Sequence, residues 1–209
     1  MKALAEFLPR VLPYVTACPT SLAEQALVDS AIYFCEKSTI LRFTPDPEFT
    51  VDNQATYDLD LPQGSDFSRV ISLKIDDVEI SPLPREKLPT VASSKAKPTR
   101  YFITQDAGEL QLNLYSTPDD AYSITMSLVV RPKRDATSFA DELYIYWMDG
   151  IVHGALSRIM SLTGQAFSDP MAAMYHEKQA SMECHKARVE SNMGRVVGSL
   201  DVKPRPFVR

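Results

Sequence analysis

The chain has 209 residues, of which 44% are hydrophobic and 23% charged, so it can build an ordinary core as one domain or two small ones. Its net charge is −5; the last stretch, Arg195–Arg209, holds four basic residues and one acidic, a local +3 that leaves −8 on the rest. An acidic body argues against a nucleic-acid grip along it, and the basic tail is a candidate arm for an acidic partner. No apolar run approaches the ~18 residues of a membrane span. Cys18, Cys35 and Cys184 are odd in number and include no CxxC pair, which excludes a disulfide framework and a zinc knuckle and points to synthesis in a reducing cytoplasm.

Fifteen prolines against seven glycines, with most prolines before residue 133, favour many short strands with stiff connections. In Met1–Pro19, Glu6, Pro9, Arg10 and Pro13 interrupt any apolar h-region, so this stretch does not read as a signal peptide. Residues 3–14 suit only a short helix broken by Pro9 and Pro13. Ser21 and Glu24 form an S-x-x-E capping box, and the apolar run through Leu27, Ala31 and Phe34 predicts a helix from Ser21 to about Lys37, apolar on two sides and therefore buried between other elements.

From Thr39 the period changes to two. Strands are predicted at Ile40–Phe43, from Phe49 and Val51, at Tyr57–Leu61, and at Val70–Ile75 followed by Val78–Ile80, with Asp76-Asp77 as a tight hairpin turn. Residues 81–98, rich in proline, read as an exposed loop. Tyr101–Ile103, a turn at Asp106-Ala107-Gly108, the alternation of Leu110, Leu112 and Leu114, and that of Tyr122 to Val130 complete seven or eight strands, and Pro132 ends the last.

Two helices follow. Ser138 with Asp141 reads as a capped start, and Phe139, Leu143, Trp147, Ile151 and Ala155 recur at helical spacing as far as Gly164, a left-handed terminator. Asp169-Pro170 starts the second helix, which carries Met171, Met174, Tyr175, Met182, His185, Val189 and Met193 along one side and closes at Gly194. That methionine stripe reads most simply as core packing, with a re-packable contact surface as the alternative. Gly150 and Gly154 share a stripe with Trp147; two interior glycines, each costing roughly 0.8–1 kcal/mol against alanine, mark a close approach, either between helices of one subunit or between subunits.

Strands grouped together, not alternating with helices, define an α+β class. The economical arrangement is a helical bundle from residues 1–38 and 138–194, an inserted antiparallel β domain at 39–137, and an extended C-terminal arm at 195–209. No Gly-rich phosphate loop, GxSxG, HExxH or calcium loop is present. His176, Cys184 and His185 are spaced too far apart for a helical metal pair, and the histidines read as satisfied residues of the helix surface. The carboxylates Asp58, Asp60, Asp76, Asp77, Asp119 and Asp120 read as turn and solvent-face groups. No catalytic residue, metal site or cofactor is predicted. A second reading is a small enzyme or carbohydrate-binding module on the β section, with Tyr101, Tyr115 and Tyr122 exposed as stacking platforms.

Over nearly its whole length the chain resembles the head-to-tail adaptor (connector) proteins of tailed bacteriophages. The resemblance is carried by LPRVLPYVTACPTSLAEQALVDSAIYFCEKS, the proline-rich strand section, SLVVRPKRDATSFADEL, and DGIVHGALSRIM followed by DPMAAMYHEKQASMECHKARVESNMG and the basic tail. Phe167 stands where the family pattern often has tryptophan. The resemblance implies a non-enzymatic virion protein at the head–tail junction, assembled in the host cytoplasm as a homododecameric ring beneath the portal. Such a ring joins the portal protein to a tail tube or nozzle protein and lets genomic DNA pass without specific binding or membrane contact. It implies a portal-binding arm of Arg195, Lys203, Arg205, Phe207, Val208 and Arg209. Trp147, Gly150 and Gly154 remain candidates for helix close packing or subunit contact. The arm, with Pro204 and Pro206, is expected to be disordered in the free monomer.

Overall fold

The computed structural model describes residues 1–84, 94–106 and 109–194. The chain opens with strand β1 (Lys2–Ala3) and three successive 3-10 turns, Leu4–Glu6, Leu8–Arg10 and Leu12–Tyr14. Pro9 and Pro13 sit at the starts of the second and third turns, where the missing N–H is tolerated, and each restart prevents a continuous helix. Helix α1 (Thr20–Ser38) follows. It begins one residue ahead of the predicted capping box: Pro19 is its N-cap, no side chain caps it, and Ser21 lies inside its first turn. Thr39, left-handed at φ 56°, ends it.

Nine strands follow among the described residues: β2 (Arg42–Phe43), β3 (Glu48–Phe49), β4 (Thr56–Asp58), β5 (Ser65–Ile75), β6 (Val78–Glu79), β7 (Ser81–Pro82), β8 (Arg100–Asp106), β9 (Glu109–Tyr115) and β10 (Ser123–Pro132). They form one sheet of order β2-β10-β5-β6, with β3 also on β10, and a second of order β4-β9-β8-β7. The Asp76-Asp77 hairpin forms with both residues at positive φ, 48° and 64°, the backbone a two-residue turn needs to match strand twist. The predicted turn at 106–108 falls partly outside the described residues, but Asp106 and Glu109 pair on either side of it. The 81–98 stretch is less loop-like than expected where it is described. Ser81–Pro82 pairs in parallel with Arg100–Tyr101, and Leu83 is buried. The alternation of β9 and β10 puts Leu112 and Leu114 of one sheet and Ile124 and Leu128 of the other into a shared core, with Leu73 and Ile75 of β5 beside the β10 residues.

Ser138 does not cap a helix. Ser138–Phe139 forms strand β11, paired with β1, and helix α2 (Asp141–Met160) starts behind Ala140 without a side-chain cap. The cause is tertiary: the N-terminal segment claims the backbone of 138–139 for a ladder. Phe139 keeps its place in the apolar stripe from the strand, edge-on to Phe7 at 5.3 Å. Helix α2 ends four residues before Gly164, which sits at φ +78° in the following turn. Helix α3 (Pro170–Met193) starts as the sequence predicts, with Asp169 accepting from the N–H groups of Met171 and Ala172, and Gly194 ends it.

The mixed α+β class expected from strand grouping is the one found. Helices α1, α2 and α3 pack on one another, and α1 also packs on β10. Leu27, Leu143, Ile151 and Leu156 are fully buried in their shared core, together with Phe7 and Val11 of the opening turns. Arg131 at the end of β10 pairs with both Glu36 of α1 and Asp66 of β5, tying helix to sheet.

Candidate assembly surfaces

The glycines of α2 lie at the crossing of all three helices. A Cβ on Gly150 would stand 2.7 Å from the Phe34 ring and 2.9 Å from Glu183 Cβ; one on Gly154 would collide with Ser30 Oγ. Ser30, buried on α1, donates a 2.7 Å hydrogen bond to the Ile151 carbonyl. The close approach is therefore made by side chains of α1 and α3 inside one chain. Trp147, 6% exposed, lies one turn away with its ring 5.9 Å from Phe34.

This packing explains an outcome opposite to the expected one for α3. The side of α3 that meets α2 and α1 carries Ala173, His176, Cys184 and Ala187, small or flat groups that fit against glycines. The methionine stripe points the other way. Met171 is 78% exposed, Met174 67%, Tyr175 58%, Val189 56% and Met182 47%, so the core-packing expectation is overturned. At ~1.5 Å per residue the stripe runs about 33 Å from Met171 to Met193. The charged groups among its residues are Lys178 and Lys186, the latter ion-paired with Glu183 beside the stripe.

Sequence reasoning also placed His176 on the surface. It is 7% exposed, and its Nδ1 lies 2.7 Å from Nδ1 of His153 on α2. Tyr14 and Tyr175 stand edge-on to its ring at 6.0 and 5.3 Å. One imidazole donates and the other accepts, so the pair holds together with at least one ring neutral. Burial, and then the neighbouring His153, hold His176 below the usual histidine range. Two histidines 23 positions apart on different helices leave no local spacing signal.

The β section ends in a second surface, remote from the helices. The loop after Pro45, the Asp76-Asp77 hairpin and the 118–123 turn converge there through Asp76 N–H to the Ser123 carbonyl, Thr50 N–H to the Tyr122 carbonyl and Asn53 N–H to the Pro118 carbonyl. Asp76 accepts from Lys97 and from the Ser123 N–H, and these two bonds hold its carboxyl below the ordinary range. Tyr122, donating to Asp119, has its phenol pushed up to about 12. Phe49, Val51 and Val78 are 65%, 54% and 61% exposed among these carboxylates.

Nothing described resembles a reaction centre. A cleft of about 980 Å³ between the sheets has Arg69 as its one charged lining residue among the described residues, which supply no acid–base pair there. Tyr101, proposed as a stacking platform, is buried at 6%, and Tyr122 is tethered to Asp119. Among the described residues no group of three or more His, Cys, Asp or Glu is placed to hold a metal, and no helix is long and apolar enough to cross a membrane. The arm residues Arg195, Lys203, Arg205, Phe207, Val208 and Arg209 lie outside the described residues.

Outward-facing apolar surfaces on an α+β chain are what a protein that assembles with others presents. Residues 3–201 match the family described as SU10 adaptor protein, and the chain belongs to that family. The match agrees with the head-to-tail adaptor resemblance, and an adaptor family is a structural one, not an enzyme family. No curated protein matches the chain.

Proposed function

We propose that this protein is a head-to-tail adaptor of a tailed phage, forming a homo-oligomeric ring, dodecameric by family resemblance, that joins the portal to a tail tube or nozzle protein at the head–tail junction of the virion. The observation that carries this reading is the exposed Met/Tyr face of α3 on a chain of the adaptor family: a contiguous apolar stripe of this length signals a protein interface. The division of labour follows the chain. The helices of 1–38 and 138–194 form the bundle, 39–137 the inserted β unit, and 195–209 the arm toward the portal, with Phe207 as anchor and Lys203, Arg205 and Arg209 as cations for acidic groups. The −8 charge of the remainder suits a bore through which DNA slides, since cations on phosphate supply most non-specific affinity.

Negative-stain imaging of the protein co-expressed with its portal tests this directly. A closed ring seated on the portal is the expected particle; a monomer that never joins the portal overturns the reading. The enzyme or carbohydrate-module alternative finds little in the β section, where Tyr101 is buried and the intersheet cleft lacks an acid–base pair.

A further inference from the structure

The two outward surfaces differ in chemistry. The α3 stripe is apolar with cations: Met174, Tyr175 and Met182 stand beside Lys178 and beside Lys186, which pairs with Glu183. The tip of the β unit is apolar with anions: Phe49, Val51 and Val78 stand among exposed Asp46, Glu48, Asp77, Glu79 and Asp120. Lys95 and Lys97 are already paired there, with Asp52 and Asp76, and Lys74 stands across the ladder from Glu79, which leaves Asp46, Glu48, Asp77 and Asp120 as the outward carboxylates.

These surfaces cannot meet within one copy. Val130, at one end of β10, belongs to the helical core, whereas Ser123, at the other end, belongs to the tip. Seven residues of strand at ~3.4 Å each separate them by about 24 Å. The α3 stripe faces away from α1 and α2, on the outside of the helices. Two complementary patches on different parts of one chain make a head-to-tail contact, and such a contact closes into a ring when its rotation divides the circle.

We propose that the Met/Tyr face of α3 docks on the carboxylate-rich tip of the β unit of a second copy. This rests on the ring reading above and names the two surfaces that would build it. Opposite charge selects the pairing: α3 against α3 sets lysine against lysine, and tip against tip sets carboxylate against carboxylate. The methionines supply side chains that adapt to Phe49 and Val78.

The test uses two variants of the full chain. One carries Met174→Glu and Met182→Glu, the other Phe49→Lys and Val78→Lys. All four positions are exposed, so circular dichroism and melting should match the wild type. Light scattering after size exclusion should show wild-type rings and each variant as a monomer. Mixed in equal amounts at high protein concentration, the two variants should stop at a 1:1 heterodimer, because only one junction of the pair is intact. Rings formed by the Phe49→Lys/Val78→Lys protein, or a mixture that stays monomeric, would overturn the docking. A wild-type protein that remains monomeric at high concentration and on its portal would instead remove the ring reading itself.

Discussion

Replacing Gly154 with alanine puts the helix crossing under direct strain. In an exposed helix this change stabilises by about 1 kcal/mol. Here the new methyl would collide with Ser30 Oγ, lie 3.3 Å from Ser30 Cβ and stand 3.6 Å from Arg158 Nη1. Ser30 is 2% exposed and held by its own bond to the Ile151 carbonyl, so moving its hydroxyl aside breaks that bond. Overpacking of this kind costs about 1–3 kcal/mol, and displacing the hydroxyl forfeits roughly 1 kcal/mol of hydrogen bonding. Set against the propensity gain, Gly154→Ala should destabilise by about 1–3 kcal/mol, a fall in melting temperature of roughly 2–12 °C for a chain of this size. Ser30→Ala alone should cost about 1 kcal/mol. The double variant removes the colliding oxygen while keeping the propensity gain, so it should return close to wild type, with a coupling of roughly 2–4 kcal/mol in a urea-denaturation cycle. A stabilised Gly154→Ala protein, or additive single effects, would show that nothing presses on Gly154 in solution.

Trp147→Ala should cost about 3–5 kcal/mol by urea denaturation, since it empties a buried site beside Phe34. Melting temperature should fall as pH drops below the ordinary histidine value of 6.5. His176 is held below that value in the fold, so the unfolded chain takes up the proton first and stability is lost with acid; His176→Gln should flatten that slope. Truncation after Gly194 should leave circular dichroism and melting unchanged yet abolish attachment to the portal. Normal attachment would end the arm proposal, and loss of folding would place the tail in the core.

Much of the fold is legible because local chemistry and tertiary packing agree. Asp169-Pro170 starts α3 because the carboxylate caps and the proline fits the first turn. The β9 and β10 alternation survives because one face of each strand is buried. The misreadings arise where a distant segment decides. Ser138 has the chemistry of a cap, but β1 takes its backbone. Ser21 could cap, but the chain turns into helix one residue earlier behind Pro19. The methionine stripe reads as core because size and hydrophobicity favour burial on average. What reverses it is the pair Gly150 and Gly154, which admits only a small-residue face at close range. That signal was present in Ala173, Ala180, Cys184 and Ala187, all on the side of α3 opposite the stripe.

Helix α3 is thus inverted relative to an ordinary surface helix, which turns its large apolar groups inward. The intramolecular contact is satisfied by short side chains on glycine, so turning the helix over would drive methionines into the space Phe34 and Ser30 already fill. Exposure of the stripe is therefore fixed by the packing beneath it and cannot be relieved by rotation. Fully burying one such side chain stabilises by about 1.5–3 kcal/mol. Five stripe residues stand about half exposed or more, so a partner surface would recover a substantial fraction of that for each. Against this stands an association cost of roughly 4–15 kcal/mol in lost translational and rotational freedom. The two are of the same order for a single junction. A closed ring changes the balance, because its last junction forms between copies already linked and gains the contact without a further association cost. A surface that holds a lone dimer only at high protein concentration can in this way hold a complete ring at low concentration.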